Sequence, residues 1–431
     1  MSHDIKIDIH HLTRVEGHGN ITVNARNGAV EECRLDIIET PRFFESMLRG
    51  RPYTEASHIT SRICGICAVG HATASLRATE NALGVMISGQ TELLRNLMMC
   101  GEMLDSHVLH TYMLVAPDFF GVTSVIPLSK LAPDAVVRAL RLKKLAGDLC
   151  AAIGGRHTHP IAMTVGGFTH LPTLAEIKSL WSRLIEARKD MQATVDLFKT
   201  LPWPAFERPT EYVALSKSNE YALIDGAITS SDGPVYAADE YKKVTNEYLV
   251  AHSSAKHTRH KRDAYMVGAL ARFNVNYEHL HPAAKLAADE LGLKPVCTNP
   301  YLNSAAQVVE MVHALETAIQ ISEVLAEKGI QPEMPPVFNG KGGTGVGAVE
   351  VPRGTLFHNY EIGDDGRIVN ANCIIPTGQN LANIEADMCK LVPEILDQGE
   401  DRVALALEML VRAYDPCISC SVHFMNVRFV K

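Results

Sequence analysis

The sequence predicts an α+β protein, mainly helical, with a central helix bundle and antiparallel sheets at its periphery. Three observations carry that expectation. Residues 5–40 read as short strands, with period-two alternation in Ile5–Ile9 and more loosely in Gly19–Asn24, and the 349–375 stretch also reads as strands. Apolar residues recur at helical spacing through most of 55–200 and again in 304–328 and 379–413. Proline and glycine clusters separate these stretches.

Taken in order, Ile5-Lys6-Ile7-Asp8-Ile9 and Gly19–Asn24 read as strands, and Asn27-Gly28 signals a hairpin into a third run, Val30–Ile38. Thr91–Val115 carries Leu93, Leu94, Leu97, Met98, Met103 and Leu104 near helical spacing. Ala132–Ile153 and Thr173–Thr200 do likewise, and Pro202 and Pro204 end the last. Residues 205–300 are more charged and read as a mixed α/β subdomain packed on the helices. Within it, His252–Arg262 is basic and suits either a solvated loop or a partner-docking loop. A helix over Ser304–Lys328 is followed by Pro332, Pro335 and Pro336, then by a loop holding Gly340, Gly342, Gly343, Gly345 and Gly347. No Gly-Lys-Ser/Thr ends that loop and no Gly-x-Gly-x-x-Gly turn is formed, so its glycines are read as permitting positive φ or a close backbone approach. Residues 1–431 are taken as one large domain that includes an N-terminal β region (1–50) and the 205–300 subdomain.

Composition narrows the function. The 431 residues carry 41 Lys and Arg against 49 Asp and Glu, a net charge of −8, which disfavours a nucleic-acid partner. The chain is 46% hydrophobic and 21% charged, ordinary globular usage. It has no apolar run long enough for a membrane span, and Met1–Lys6 is polar, without a signal-peptide core.

The ten cysteines are too sparse for a disulfide scaffold. Six stand singly and read as small buried hydrophobes. The other four form two Cys-x-x-Cys pairs, Cys64/Cys67 near the start and Cys417/Cys420 at the end, each with a histidine shortly beyond (His71, His423). A thioredoxin-like redox motif would leave the second pair unexplained. A local zinc site built from four cysteines usually has its pairs within about 15–20 residues. A third possibility is that the fold closes four thiolates around a soft, redox-active transition metal. Spacing alone leaves all three open.

Arg62-x-Cys64-Gly-x-Cys67-x-x-x-His71 together with Asp415-Pro416-Cys417-x-x-Cys420-x-x-His423 resembles the large, catalytic subunit of [NiFe] hydrogenases. Arg14-Val15-Glu16-Gly17-His18, Glu45, Val351-Pro352-Arg353-Gly354 and Pro376-Thr377 match in the family's order, so the likeness covers nearly the whole chain. A related subunit of respiratory complex I lacks the metal-binding cysteines, which are all present here.

The resemblance implies a large-subunit hydrogenase fold and reversible heterolytic cleavage of H2. It implies that Cys64, Cys67, Cys417 and Cys420 bind nickel, with Cys67 and Cys420 shared with an iron that carries CO and two cyanides. It implies Arg353 and Thr377 as hydrogen-bond donors to the cyanides, and Val351, Pro352, Leu356 and Ile375 as the apolar lining around CO. Cys417 would accept the proton and Glu16 relay it, with Arg353 an alternative base; a carboxyl group suits such a relay by ordinary acid–base chemistry. His71 would hydrogen-bond a bridging thiolate. Glu45, the Cys373 carbonyl and His423 would hold a magnesium (or iron) ion.

Ser106, ahead of His107 and His110, stands where many membrane-bound members have Asp, and so resembles the cytoplasmic, bidirectional, cofactor-coupled class. The implied partners are an iron–sulfur small subunit, flavin/NAD(P)- or ferredoxin-linked subunits, and a maturation protease that in the family removes the tail after the histidine matching His423; with Phe424–Lys431 the chain is either an unprocessed precursor or a member that keeps a short tail. An H2 sensor and a complex-I-like subunit are the non-catalytic alternatives on this fold.

Overall fold

The computed structural model describes residues 5–27, 29–336 and 340–422. Strand β1 (Ile5–Ile9) pairs antiparallel with β2 (Gly19–Arg26), and β2 with β3 (Ala29–Ile37). The alternation does what it predicts: Ile21, Val23 and Ala25 are buried while the residues between them are half-exposed. The hairpin falls where expected, between Arg26 and Ala29.

Four long helices form the bundle: α2 (Gly89–Val108), α3 (Pro133–Gly154), α4 (Leu174–Phe198) and α5 (Asn303–Lys328). The shorter α1 (Ala68–Leu83) lies beside them. Thr173 caps α4 through a reciprocal pair with Glu176. The helix expected over Thr91–Val115 changes form after Val108, where Leu109–Val115 winds as a π-helix. His110, inside that segment, is hydrogen-bonded with Gln307 and the Arg412 carbonyl, so the wide turn coincides with a tie to the C-terminal region.

The 205–300 stretch holds β4 (Glu211–Ser216), antiparallel to β5 (Ala227–Ser230) and parallel to β6 (Tyr265–Met266). The β4–β6 pairing is a parallel exception to the expected antiparallel sheets. Its Val213, Leu215 and Ile228 share a core with Val346, Phe357 and Ile374, so the stretch packs on the C-terminal sheet as well as on helices.

That sheet is β7 (Gly343–Val351), β8 (Gly354–Ile362) and β9 (Ile368–Ile374), antiparallel throughout. The glycine-rich segment is therefore strand from Gly343 onward, a correction to the loop expectation. The close-approach reading holds. Gly343, Gly345 and Gly347 face the backbone of α1, and a Cβ on any of them would fall on Ala82, Ala78–Ala82 or Ala74–Ala78 respectively. Two strand residues advance about 6.6 Å and four helix residues about 6.0 Å, so alternate glycines track successive turns of α1. Helices α6 (Pro376–Ile395) and α7 (Glu400–Ala413) follow, then a single helical turn over Ile418–Ser421. Among the described residues no helix is long and apolar enough to cross a membrane. His423 and Phe424–Lys431 lie outside the described residues.

Candidate metal centre

Each cysteine pair occupies the entry to a helix. Cys67 is the residue before α1, and Cys417 precedes the short helix Ile418–Ser421. The two turns are stapled together by Arg42, which donates to the carbonyls of Arg62, Ile63 and Ser419, while its own amide donates to Val422. The start and the end of the chain thus meet. Cys64 Sγ lies 3.6 Å from Cys417 Sγ. The Cys417 and Cys420 sulfurs are paired in direct contact, with Cα atoms 5.5 Å apart. Sulfurs of Cys64, Cys417 and Cys420 lie within 4.8 Å of one another, as do the donor atoms of Cys67, His71 and Cys420. All four cysteines are buried.

The first turn is built to hold negative sulfur. Cys64 Sγ accepts from the amides of Ile66 (3.3 Å) and Cys67 (3.2 Å). The Cys67 thiol, those amides and the charge of Arg353 together outweigh burial and hold the Cys64 thiol down to about 7.

Glu16 reaches the second turn. Its carbonyl accepts from Ile418 N at 2.9 Å. Its carboxylate accepts from Ser419 N at 3.1 Å, stands 3.1 Å from Cys417 Sγ, and also contacts the Ser419 hydroxyl. Gly17 makes this approach possible: its φ is +87°, and a Cβ there would strike Ile418 Cβ and Ser419 N. Arg14 anchors the same loop by donating to the Leu114 carbonyl and pairing with Asp118. Thr377 Oγ1 accepts from Cys417 N at 2.9 Å, which leaves its O–H as a donor.

Arg353 is buried and pairs with Asp415: Nε donates to the carbonyl at 2.7 Å and Nη2 to the carboxylate at 2.8 Å. Its Nη1 is buried with no hydrogen-bond partner among the described residues. Val351, Pro352, Leu356 and Ile375 are buried. The turn that carries Arg353 is held from behind by Arg272, which donates to the Val351 and Pro352 carbonyls and pairs with Glu310 and Glu350.

Two expected site residues form a separate pair. Glu45 Oε1 accepts from the Cys373 amide at 2.8 Å, which brings that carboxylate and that backbone together. The third member of the expected set, His423, lies outside the described residues.

His71 opens a buried line of ring contacts. Its Nδ1 is 3.2 Å from His358 Nε2, His358 Nδ1 is 2.7 Å from the Tyr360 hydroxyl, and that hydroxyl donates to Ser75 at 3.1 Å. Sequence reasoning missed His358 and Tyr360, which sit in an alternating strand with nothing local to mark them. It also missed Arg42, Arg272 and the role of Asp415. Asp415 alone carried a signal, an acid directly preceding a Pro-Cys-x-x-Cys turn. Glu102 was missed too: it accepts from the Val69 and Gly70 amides at the start of α1, and burial pushes its carboxyl up to about 8. Of the six single cysteines, Cys100, Cys150 and Cys373 are buried as expected, whereas Cys33 and Cys297 are half-buried and Cys389 is exposed.

The donor set fits a thiolate-bound transition metal. Four sulfurs converge, one of them already stabilised as an anion. Beside them an orphaned guanidinium N–H, a group rarely left unpaired when buried, suits an anionic ligand that accepts hydrogen bonds.

Comparison with known proteins gives the chain a family. A family model described as nickel-dependent hydrogenase matches residues 42–138 and 229–423, and one described as HoxL-like matches residues 6–40. Sulfhydrogenase 1 subunit alpha of Pyrococcus furiosus is 35% identical across 98% of this chain and 99% of its own. The NAD-reducing hydrogenase HoxS subunit beta of Cupriavidus necator is 27% identical across 98% of this chain and 95% of its own. Among solved structures, an NAD+-reducing [NiFe]-hydrogenase in the H2-reduced state superposes with a TM-score of 0.88 at 28% identity, covering 97% of this chain and 99% of that one. The chain whose two distant Cys-x-x-Cys turns meet here therefore belongs to the nickel-dependent hydrogenase large-subunit family.

Proposed function

We propose that this chain is the H2-activating subunit of a [NiFe] hydrogenase, working as one catalytic domain and cleaving H2 reversibly into protons and electrons. The observation that supports this most directly is the convergence of Cys64, Cys67, Cys417 and Cys420 beside the unpaired Nη1 of Arg353. The four thiolates would hold nickel, and Cys67 and Cys420 would share an iron bearing CO and two cyanides. When bound, that pair supplies the Lewis acidity and redox capacity for heterolytic cleavage.

The chain's own residues then handle the proton. Cys417 Sγ, 3.1 Å from Glu16 Oε2, hands it over without a bridging water. Ser419 fixes the carboxylate through its amide and hydroxyl, so Glu16 receives the proton in a set orientation. Arg353 Nη1 and the Thr377 hydroxyl would donate to the cyanides, and Val351, Pro352, Leu356 and Ile375 exclude water from the CO side. Glu45 and the Cys373 carbonyl, with His423, would hold a magnesium ion. His71 would tune a bridging thiolate.

The chain offers no iron–sulfur cysteine run of its own, so electrons would leave through an iron–sulfur small subunit. From there they would pass to flavin/NAD(P)- or ferredoxin-linked subunits. We assign the complex to the cytoplasm on the strength of Ser106 and of the relatives named as NAD-reducing.

Metal analysis and infrared spectroscopy of the purified complex test the reading. Nickel near one per chain, with CO and cyanide bands and rapid dye-linked H2 oxidation, is expected. Turnover slower by orders of magnitude with the bands present would mark a sensor, and absence of nickel a complex-I-like subunit. The Cys64→Ser variant should lose both nickel and turnover.

A further inference from the structure

Away from the cysteines, the basic segment over residues 252–262 turns out to face inward at two positions. His252 Nε2 lies 2.7 Å from Glu385 Oε1. His257 is buried, its Nδ1 standing 3.9 Å from Glu385 Oε2. The two imidazoles meet edge to face, with centroids 5.7 Å apart, and one donor atom from each of the three residues fits within a 4.8 Å cluster.

The arrangement is poorly explained by hydrogen bonding alone. The 3.9 Å gap is too long for a hydrogen bond, and His257 Nε2 is buried with no partner among the described residues. By contrast, two ligands each about 2.0–2.1 Å from one tetrahedral zinc stand roughly 3.4 Å apart, which lies between the 2.7 Å from His252 to Oε1 and the 3.9 Å from His257 to Oε2. The carboxylate is also oriented for the task, because Glu385 Oε1 accepts from Leu35 N at 3.0 Å. His252 and Glu385 are partly exposed, so an ion has a way in.

We propose that His252, His257 and Glu385 form a further, independent binding site for a zinc-class divalent cation. Two imidazoles and one carboxylate are a borderline-soft set with a fourth position open to water. The site would act as a clip. The 252–257 segment already pairs with β3, through Ser254 N to the Ile37 carbonyl, and Glu385 projects from α6, whose first turn contains Thr377. A cation would lock the N-terminal sheet, this segment and the Thr377-bearing helix into one unit.

The test uses the purified native protein and Zn2+ as probe, with zinc and nickel quantified separately after exhaustive dialysis. One zinc per chain is expected beyond the nickel. His252→Gln should weaken zinc binding by more than about tenfold while nickel content and dye-linked turnover stay as in the parent. His252→Cys, which restores a zinc ligand, should retain the metal, with a sulfur contribution at the zinc absorption edge. Equal zinc retention by the parent and by His252→Gln, or no zinc in either, would overturn the site and leave a hydrogen-bonded trio.

Discussion

Arg353 spends two of its three donor nitrogens on Asp415, one on the backbone carbonyl and one on the carboxylate, and keeps the third, Nη1, buried and unpaired. Asp415 therefore sets where that last N–H can be. The acid is itself over-determined: its φ is +52°, and its other carboxylate oxygen accepts from Gln307 at 3.1 Å. Charge in the surroundings, Asp415 above all and then Cys64 and Cys67, holds the Arg353 guanidinium firmly protonated despite burial.

Asp415→Asn should consequently act on both stability and chemistry. Removing one partner of a buried pair costs about 3–5 kcal/mol, read as a lower thermal midpoint. With the carboxylate gone and only the backbone carbonyl left to hold Nε, Nη1 would lose its aim, and dye-linked H2 oxidation per nickel should fall roughly 100-fold or more, as when a preorganised donor is lost. Arg353→Lys should match the loss of turnover with nickel retained. Parental turnover per nickel in Asp415→Asn would mean that the fork does not position Arg353.

Glu16 gives a narrower expectation. Glu16→Gln keeps the shape that touches Cys417 and Ser419 but cannot carry a proton. Nickel content and H2 binding should be unchanged, while exchange of D2 with solvent protons falls by about 100-fold or more. Exchange at the parental rate would remove Glu16 from the path and point to Arg353.

Strand β7 against helix α1 supplies a prediction about packing. Gly345→Ala places a methyl group on the backbone around Ala78–Ala82, which cannot yield as a side-chain tip can. A loss of about 1–3 kcal/mol is expected. Because Cys67 immediately precedes α1, which carries His71, nickel occupancy should drop with it. Gly89→Ala, whose Cβ would meet nothing within 4 Å, is the control and should leave the thermal midpoint where it is.

How much of this was legible beforehand follows the range of each signal. Local periodicity located Ile5–Ile9, Asn303–Lys328 and the strands after Val349 to within a few residues, because burial on one face imposes its period on the chain. The four cysteines were legible because sulfur pairs at that spacing have few uses, though the joining of the two pairs came from family likeness and not from spacing. Gly345 was legible only as a close approach; that its neighbour is α1 depends on a contact between residues more than 260 apart in sequence. Arg272, 38 residues from Glu310, and His358, 287 from His71, act by pairing with residues on other elements, and nothing in their immediate neighbours announces a partner. The change to a π-turn at Leu109 was invisible for the same reason: its tie, His110 to Gln307, is made by another helix.

A final prediction concerns acid stability far from the metal centre. His313 on α5 is buried, its Nδ1 accepts from His281 N at 3.0 Å, and its ring lies 4.5 Å from that of Tyr221. Burial holds its pKa down to about 4 against an ordinary 6.5, and the nearby Glu310 only partly offsets this. The folded protein thus binds this proton less readily than the unfolded chain. The sign follows: the stabilisation is present above pH 6.5 and is lost as pH falls through 4, up to about 3 kcal/mol for the single group. His313→Gln cannot titrate, so it should be less stable than the parent at pH 7 through lost packing on Tyr221. The difference in thermal midpoint should then shrink as both proteins are taken to pH 4.5. A gap that stays constant over that range would show that His313 takes up its proton in the folded state as easily as in the unfolded one, and that its burial is not the cause.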